Sequence, residues 1–181
     1  MGLDITAYSK LRYVGEHEID PALNEGEPGP HCYYENHVQA YAYTAFPRSF
    51  RGIHVLATDE HFLRGGCFEV TEGTETHSFR AGSYSGYGAW RQDLAKQFNP
   101  APIVGLREGM QEPDPDLPFY ELIWFADNEG TISGEASADL LRDFRAYAET
   151  YQPANPWFRE AYADWTRAFE LAADGGLVDF H

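Results

Sequence analysis

The stretch from Asn155 to Gly176 constrains this chain more than any other. Asn155 followed by Pro156 is a helix start: an Asn side chain accepts from a free N–H of the first turn, and a Pro at the first helical position has no N–H to leave unsatisfied. Trp157, Phe158, Ala161, Tyr162, Trp165, Phe169 and Ala172 then recur at helical spacing as one wide apolar stripe. Gly175-Gly176 ends it, because Gly accepts the left-handed conformation that closes a helix. Such a helix needs a broad apolar partner, and burying each large aromatic contributes roughly 1.5–3 kcal/mol. The chain is long enough to build one. Its 181 residues make a single domain, and a folded domain of that size buries roughly 70% of the surface its unfolded chain exposes.

The other segments predict what that partner is. Leu3, Ile5 and Ala7 alternate with Asp4, Thr6 and Tyr8, which predicts a strand over residues 3–14. Residues 32–46 are rich in Tyr, and Ile53 to Ala57 forms a short apolar run. Cys67–Thr71 and Thr76–Arg80 flank Glu72-Gly73-Thr74-Glu75, a hairpin pattern. A helix begins after Ser83 or Ser85 and stops at Asn99-Pro100, with Tyr87, Trp90, Leu94, Ala95 and Phe98 on one face. Phe119 to Ala126 is nearly apolar throughout and predicts a central strand. Thr131–Ser133 predicts a return strand, residues 136–151 a helix, and Leu177–His181 a terminal strand or docked tail. The sum is an α+β fold, an antiparallel or mixed sheet covered on one face by about three helices. Residues 1–181 form one domain, with flexible loops at about 15–31 and 107–118, where Pro, Gly and acids cluster.

Charge narrows the function. Lys and Arg total 13 against 29 Asp and Glu, a formal net charge of −16. A chain this acidic is no general nucleic-acid binder, because phosphate contacts need a basic face. Residues 1–100 hold 13 acids and 8 bases, and residues 101–181 hold 16 acids and 5 bases. A local basic site therefore fits better in the first half. No apolar run is long enough to span a membrane, and two cysteines, Cys32 and Cys67, make no disulfide framework. The opening Met1 to Thr6 fits the myristoylation pattern, but a strand there would hide Gly2. A cytoplasmic protein is expected.

Three constellations can carry chemistry. The first runs from Arg80 through Gly82, Ser83, Ser85 and Gly86 to Arg91. It passes from strand through a Gly/Ser turn into a helix, whose first N–H groups favour an anion. The two arginines can pair with a phosphate or carboxylate in a bidentate way. The alternative is a helix cap, a tight turn and a local ion pair. The second is Asp127 and Glu129 after the apolar run, an acid pair for acid–base work or a turn that merely stops a strand. The third is histidine. His77 and His181 are further catalytic candidates; His181 can pair with Asp179 or Glu129, as a docked terminus or a general base. A zinc set from His31 or His37, Cys32, His61 and Cys67 lacks any C-x-x-C or H-E-x-x-H spacing, so no metal and no cofactor is expected.

Met1 to Tyr8, Phe79 to Tyr87 with Trp90-Arg91, Phe119 to Gly130 and Phe169 to His181 together form a distinctive set. In these segments the chain resembles a group of proteins encoded by tailed phages and prophages of bacteria. The resemblance spans nearly the whole chain and implies a phage or host-cytoplasm setting. It carries over no activity, ligand or catalytic residue. In that group a Cys often precedes the Glu of the Asp-x-Glu-Gly turn, where this chain has Asn128, which argues against thiol chemistry there. The leading expectation is a small cytoplasmic phage-type accessory protein that binds a host or phage protein, or a small phosphorylated ligand, without turnover. Two alternatives stand beside it: an acidic nucleic-acid mimic that blocks a host protein, and an enzyme acting on a phosphorylated or nucleotide-like substrate.

Overall fold

A computed structural model describes residues 2–15, 37–40, 66–100, 114, 116–125 and 130–181. The fold is α+β. Strands β1 (Gly2–Tyr8), β5 (Thr76–Ser83), β6 (Gly130–Ser133) and β7 (Leu177–Phe180) form an antiparallel sheet in the order β5-β1-β7-β6. Strands β2 (Arg12–Gly15), β3 (His37–Ala40) and β4 (Gly66–Glu69) form a second sheet in the order β2-β4-β3.

Alternation decides which face of the first sheet is covered. Leu3, Ile5 and Ala7 of β1 have no exposure, whereas Gly2, Asp4, Thr6 and Tyr8 keep some. The register sets Val178, Phe180 and Ile132 beside the first group. On that face pack α1 (Tyr84–Phe98), α3 (Gly134–Tyr147) and α4 (Pro156–Ala172). The last helix forms where its sequence predicts. Asn155 Oδ1 accepts from Trp157 N at 3.0 Å, and Phe158, Ala161, Tyr162, Trp165, Phe169 and Ala172 are buried. Trp165 stacks on Trp90 of α1 with ring centroids 5.5 Å apart and planes 8° from parallel. Gly175 takes φ +68° after the helix. A side chain on the next residue, Gly176, would collide with the carbonyl of Tyr8, so β7 enters the sheet against β1 only with glycine there.

Three expectations are corrected. Phe119–Ala126 is not a central strand: Tyr120–Trp124 is a short helix, α2. An apolar run of that length does not separate a buried strand from a buried helix. Here Phe119 takes φ 60° and donates its N–H to Asp143 Oδ2 at 2.7 Å, which starts a helical turn instead of an extended one. The centre of the sheet is β1 and β7. The hairpin across Glu72–Glu75 is also absent. A turn does close there, with Thr74 N donating to Thr71 O at 3.0 Å, but β4 and β5 enter different sheets. The strand over residues 3–14 breaks in two. Lys10 has φ 50°, and Lys10 N and Leu11 N turn to Asp174 O and Gly175 O at 2.7 and 2.9 Å. Smaller shifts concern residues 136–151: the helix starts at Gly134, capped by Ser133, and stops at Tyr147. The run Ile53–Ala57 and nearly all of the loop at 15–31 lie outside the described residues. At the end of the 107–118 loop, Asp114 is gripped by Asn99 through bonds of 2.8 and 3.0 Å.

Candidate functional site

The turn from Arg80 to Arg91 sits between β5 and α1, and its parts go separate ways. Gly82 takes φ +97°, and a side chain there would strike the Trp157 ring. Ser83 is the N-cap: its Oγ accepts from Gly86 N at 3.1 Å and lies 3.0 Å from Ser85 Oγ. Arg91 points into the helix layer. It is 4% exposed, its Nη1 donates to Phe125 O at 2.6 Å, and its guanidinium lies over the Tyr87 ring at 5.1 Å. These partners are a carbonyl and an aromatic ring, not the local acid that the sequence suggested. The surroundings push the Tyr87 phenol up to about 12, mainly by burial, with the Arg91 charge opposing. Arg80 lies on the opposite face of the sheet, exposed, with its guanidinium over Gly2. The two arginines therefore do not converge.

The histidines also divide. His77 faces the helices at the β5 edge, stacked on Phe79, with Nε2 3.4 Å from Asp164 Oδ1. His181 lies on the other face. Its backbone exchanges two bonds of 3.0 Å with Asp4, so it is docked as an extension of β7. Asp127 and Glu129 lie outside the described residues. So do His31, Cys32 and His61, and of His37 and Cys67 only the backbone is described. Among the described residues no group of three or more His, Cys, Asp or Glu is placed to hold a metal ion.

What the register assembles instead is a polar sheet face opposite the helices. Ser78, Thr6, Asp179 and Thr131 are successive cross-strand neighbours on β5, β1, β7 and β6. They form one row across the whole sheet. Two residues along, Arg80, Asp4 and His181 form a second row. Neighbouring strands are about 4.8 Å apart, so side chains in a row can touch. They do: Thr6 Oγ1 is 3.1 Å from Ser78 Oγ in its own row, and it also reaches across to His181 Nε2 of the second row at 3.1 Å. The row runs from exposed Ser78 to Thr131, which is 1% exposed. Asp179 lies between. Its Oδ1 is buried without a hydrogen-bond partner among the described residues. Burial raises its carboxyl from 3.8 to about 6, against the pull of His181 and the Phe180 N–H. The same carboxylate, after burial, raises the Tyr8 phenol.

The residue pattern marked His181 and Arg80 as candidates but not Thr6 and Ser78. Their one signal was the polar phase of alternating strands, which does not say which strands pair. No family model, no curated protein and no solved structure matches the chain. Among the described residues no helix is long and apolar enough to cross a membrane.

Proposed function

We propose that this is a phage-type accessory protein of the host cytoplasm that binds a small phosphorylated ligand without turning it over, on the polar face of the four-stranded sheet. The reading rests on the hydroxyl–hydroxyl–imidazole chain of Ser78, Thr6 and His181; Arg80 is anchored in the neighbouring row with its guanidinium over Gly2, and would turn toward them on binding. Two hydroxyls, an imidazole and a guanidinium are donors suited to phosphate oxygens. All four residues keep contact with solvent. The site differs from the Gly/Ser turn, where the Ser83 hydroxyl is engaged in capping and Arg91 in a backbone bond.

Turnover is left out of the reading because, among the described residues, no carboxylate is hydrogen-bonded to the His181 imidazole. A hydroxyl nucleophile needs a base that a third group holds in place. The Asp179 Oδ1 that would hold His181 makes no hydrogen bond among the described residues. The mimic reading has less support, because three bases of the second half pair with acids. Arg145 and Arg167 both bind Glu170, and Arg142 binds Asp139. Such pairs break up a continuous negative surface.

Titration with inorganic phosphate, followed through the His181 ring protons by NMR, tests the proposal. Saturable shifts are expected, with Arg80→Ala weakening binding about tenfold, as loss of a charge-assisted contact does. Ring protons that stay in place at saturating phosphate would remove the reading.

A further inference from the structure

The two edges of the four-stranded sheet differ. At one, β6 has every residue buried. At the other, β5 pairs with β1 on its inner side, and Thr76, Ser78 and Arg80 are exposed. The pleat fixes what this open edge presents. Asp4 exchanges two backbone bonds with His181 beyond β7, whereas Ser9 donates to Glu75 O at 2.9 Å. Backbone groups alternate sides along an antiparallel strand. The odd-numbered residues of β1 therefore turn toward β5, where Glu75, His77 and Phe79 face them. Thr76, Ser78 and Arg80 turn their N–H and C=O groups outward. The regular stretch ends after Arg80, where the register shifts and Gly82 takes φ +97°. Sheet edges are commonly blunted by Pro, by Lys or by a bulge, and residues 76–80 contain none of these.

We propose that the β5 edge is the contact between two copies of this chain, paired antiparallel about a twofold axis at Ser78. The edge is complementary to itself. An axis at Ser78 sets Thr76 opposite Arg80 of the second copy and Ser78 opposite its own counterpart. Every outward backbone group of residues 76–80 then meets a partner, donor to acceptor. An axis at His77 or Phe79 leaves an outward residue unmatched, and one at Arg80 opposes the two guanidinium groups. In the Ser78 register no charge faces a like charge. On the helix side, His77 comes opposite Phe79 of the second copy. These two rings already stack within one chain, with centroids 5.4 Å apart, and both are half-buried, so the pairing joins two stacks across the seam. The helix above leaves room for this. α4 packs on β1 and on both of its neighbours, β5 and β7. Two copies of β1 would stand three strand spacings apart, about 14 Å, which is wider than the contact distance of packed helices. On the polar side, the rows through the two Ser78 residues run on into one. The pairing does not depend on phosphate binding.

Sedimentation velocity on the full chain over a dilution series tests the proposal, and a monomer–dimer equilibrium is expected. Thr76 is exposed, so a charge placed there reports on the contact and not on the core. Thr76→Glu would face Arg80 of the second copy twice in each dimer and should tighten association about fivefold, the scale of two cross-strand ion pairs. Thr76→Arg should weaken it by a similar factor, and adding Arg80→Glu to Thr76→Arg should restore it, because the pair is then only exchanged. A chain that stays monomeric at every concentration overturns the proposal and leaves the edge to a different occupant. A dimer indifferent to both Thr76 variants overturns β5 as its contact. Assembly that continues past two copies overturns the twofold axis.

Discussion

Asp179 shows how one buried carboxyl shapes the response of the protein to pH. Its carboxyl titrates near 3.8 in an ordinary setting and at about 6 in the folded chain, with burial the main cause. Between those values the native state holds a proton that the unfolded chain has released. The slope of stability with pH follows the difference in bound protons. Stability is therefore fullest below pH 4, falls as pH rises through the window from about 4 to 6, and is level in this respect above it. The size is roughly 1–3 kcal/mol, since a tenfold difference in proton affinity between the two states corresponds to about 1.4 kcal/mol. Urea unfolding at steps across that window should show the decline in wild type and a flatter profile in Asp179→Asn. Equal slopes in the two proteins would refute the account. Arg91 was legible as a cation flanking a turn, but its partner was not. A guanidinium over Tyr87 and against Phe125 O depends on a helix, α2, that the residue pattern does not reveal.

Helix ends were the most legible elements, because caps are local chemistry. Ser83, Ser133 and Asn155 each accept a bond from the first turn of their helix. Of the two serines the sequence offers for the start of α1, Ser83 is the cap. Replacing Ser83 by Ala should cost about 1 kcal/mol, and by Gly only a few tenths. Chemical denaturation of the two variants measures the difference, and equal losses would show that the hydroxyl is not what matters. Strand pairing was less legible. Thr71–Thr74 closes a turn with hairpin spacing, yet the strands on either side leave for separate sheets. Turn chemistry acts over four residues, whereas pairing is decided by which edges the rest of the chain leaves open.

The core of the molecule is aromatic. Trp165 contacts Phe79, Tyr87, Trp90, Phe169 and Phe180, with ring centroids 5.1–5.7 Å apart, so it joins α4 to β5, α1 and β7. Aromatic pairs in such geometry contribute beyond the area they bury. Trp165→Ala should cost about 3–5 kcal/mol. For a chain of this length that lowers the melting temperature by roughly 6–20 °C. Differential scanning calorimetry gives the value directly, and an unchanged transition would place Trp165 outside the core. The charge of −16 takes a more local form in the folded chain. Lys10 pairs with Asp174, and Arg167 reaches both Glu170 and Glu75, so bases are spread among acids between elements distant in sequence.

The residue pattern by itself determined the amphipathic helices, their caps, the apolar phase of β1 and the α+β class. Each depends on spacing along a few turns or residues, where covalent connection already sets geometry. It did not determine that Tyr120–Trp124 coils, nor that Thr6, Ser78, Asp179 and His181 meet. Whether a uniformly apolar run becomes strand or helix depends on which neighbours receive its backbone groups, here Asp143 Oδ2 at 2.7 Å. The polar row depends on register between strands separated by up to 175 positions, as for Thr6 and His181. A slip of one residue would turn each of those side chains to the other face. That choice is made by burial of the opposite, apolar face, so packing the helices on one side of the sheet is what assembles the candidate site on the other.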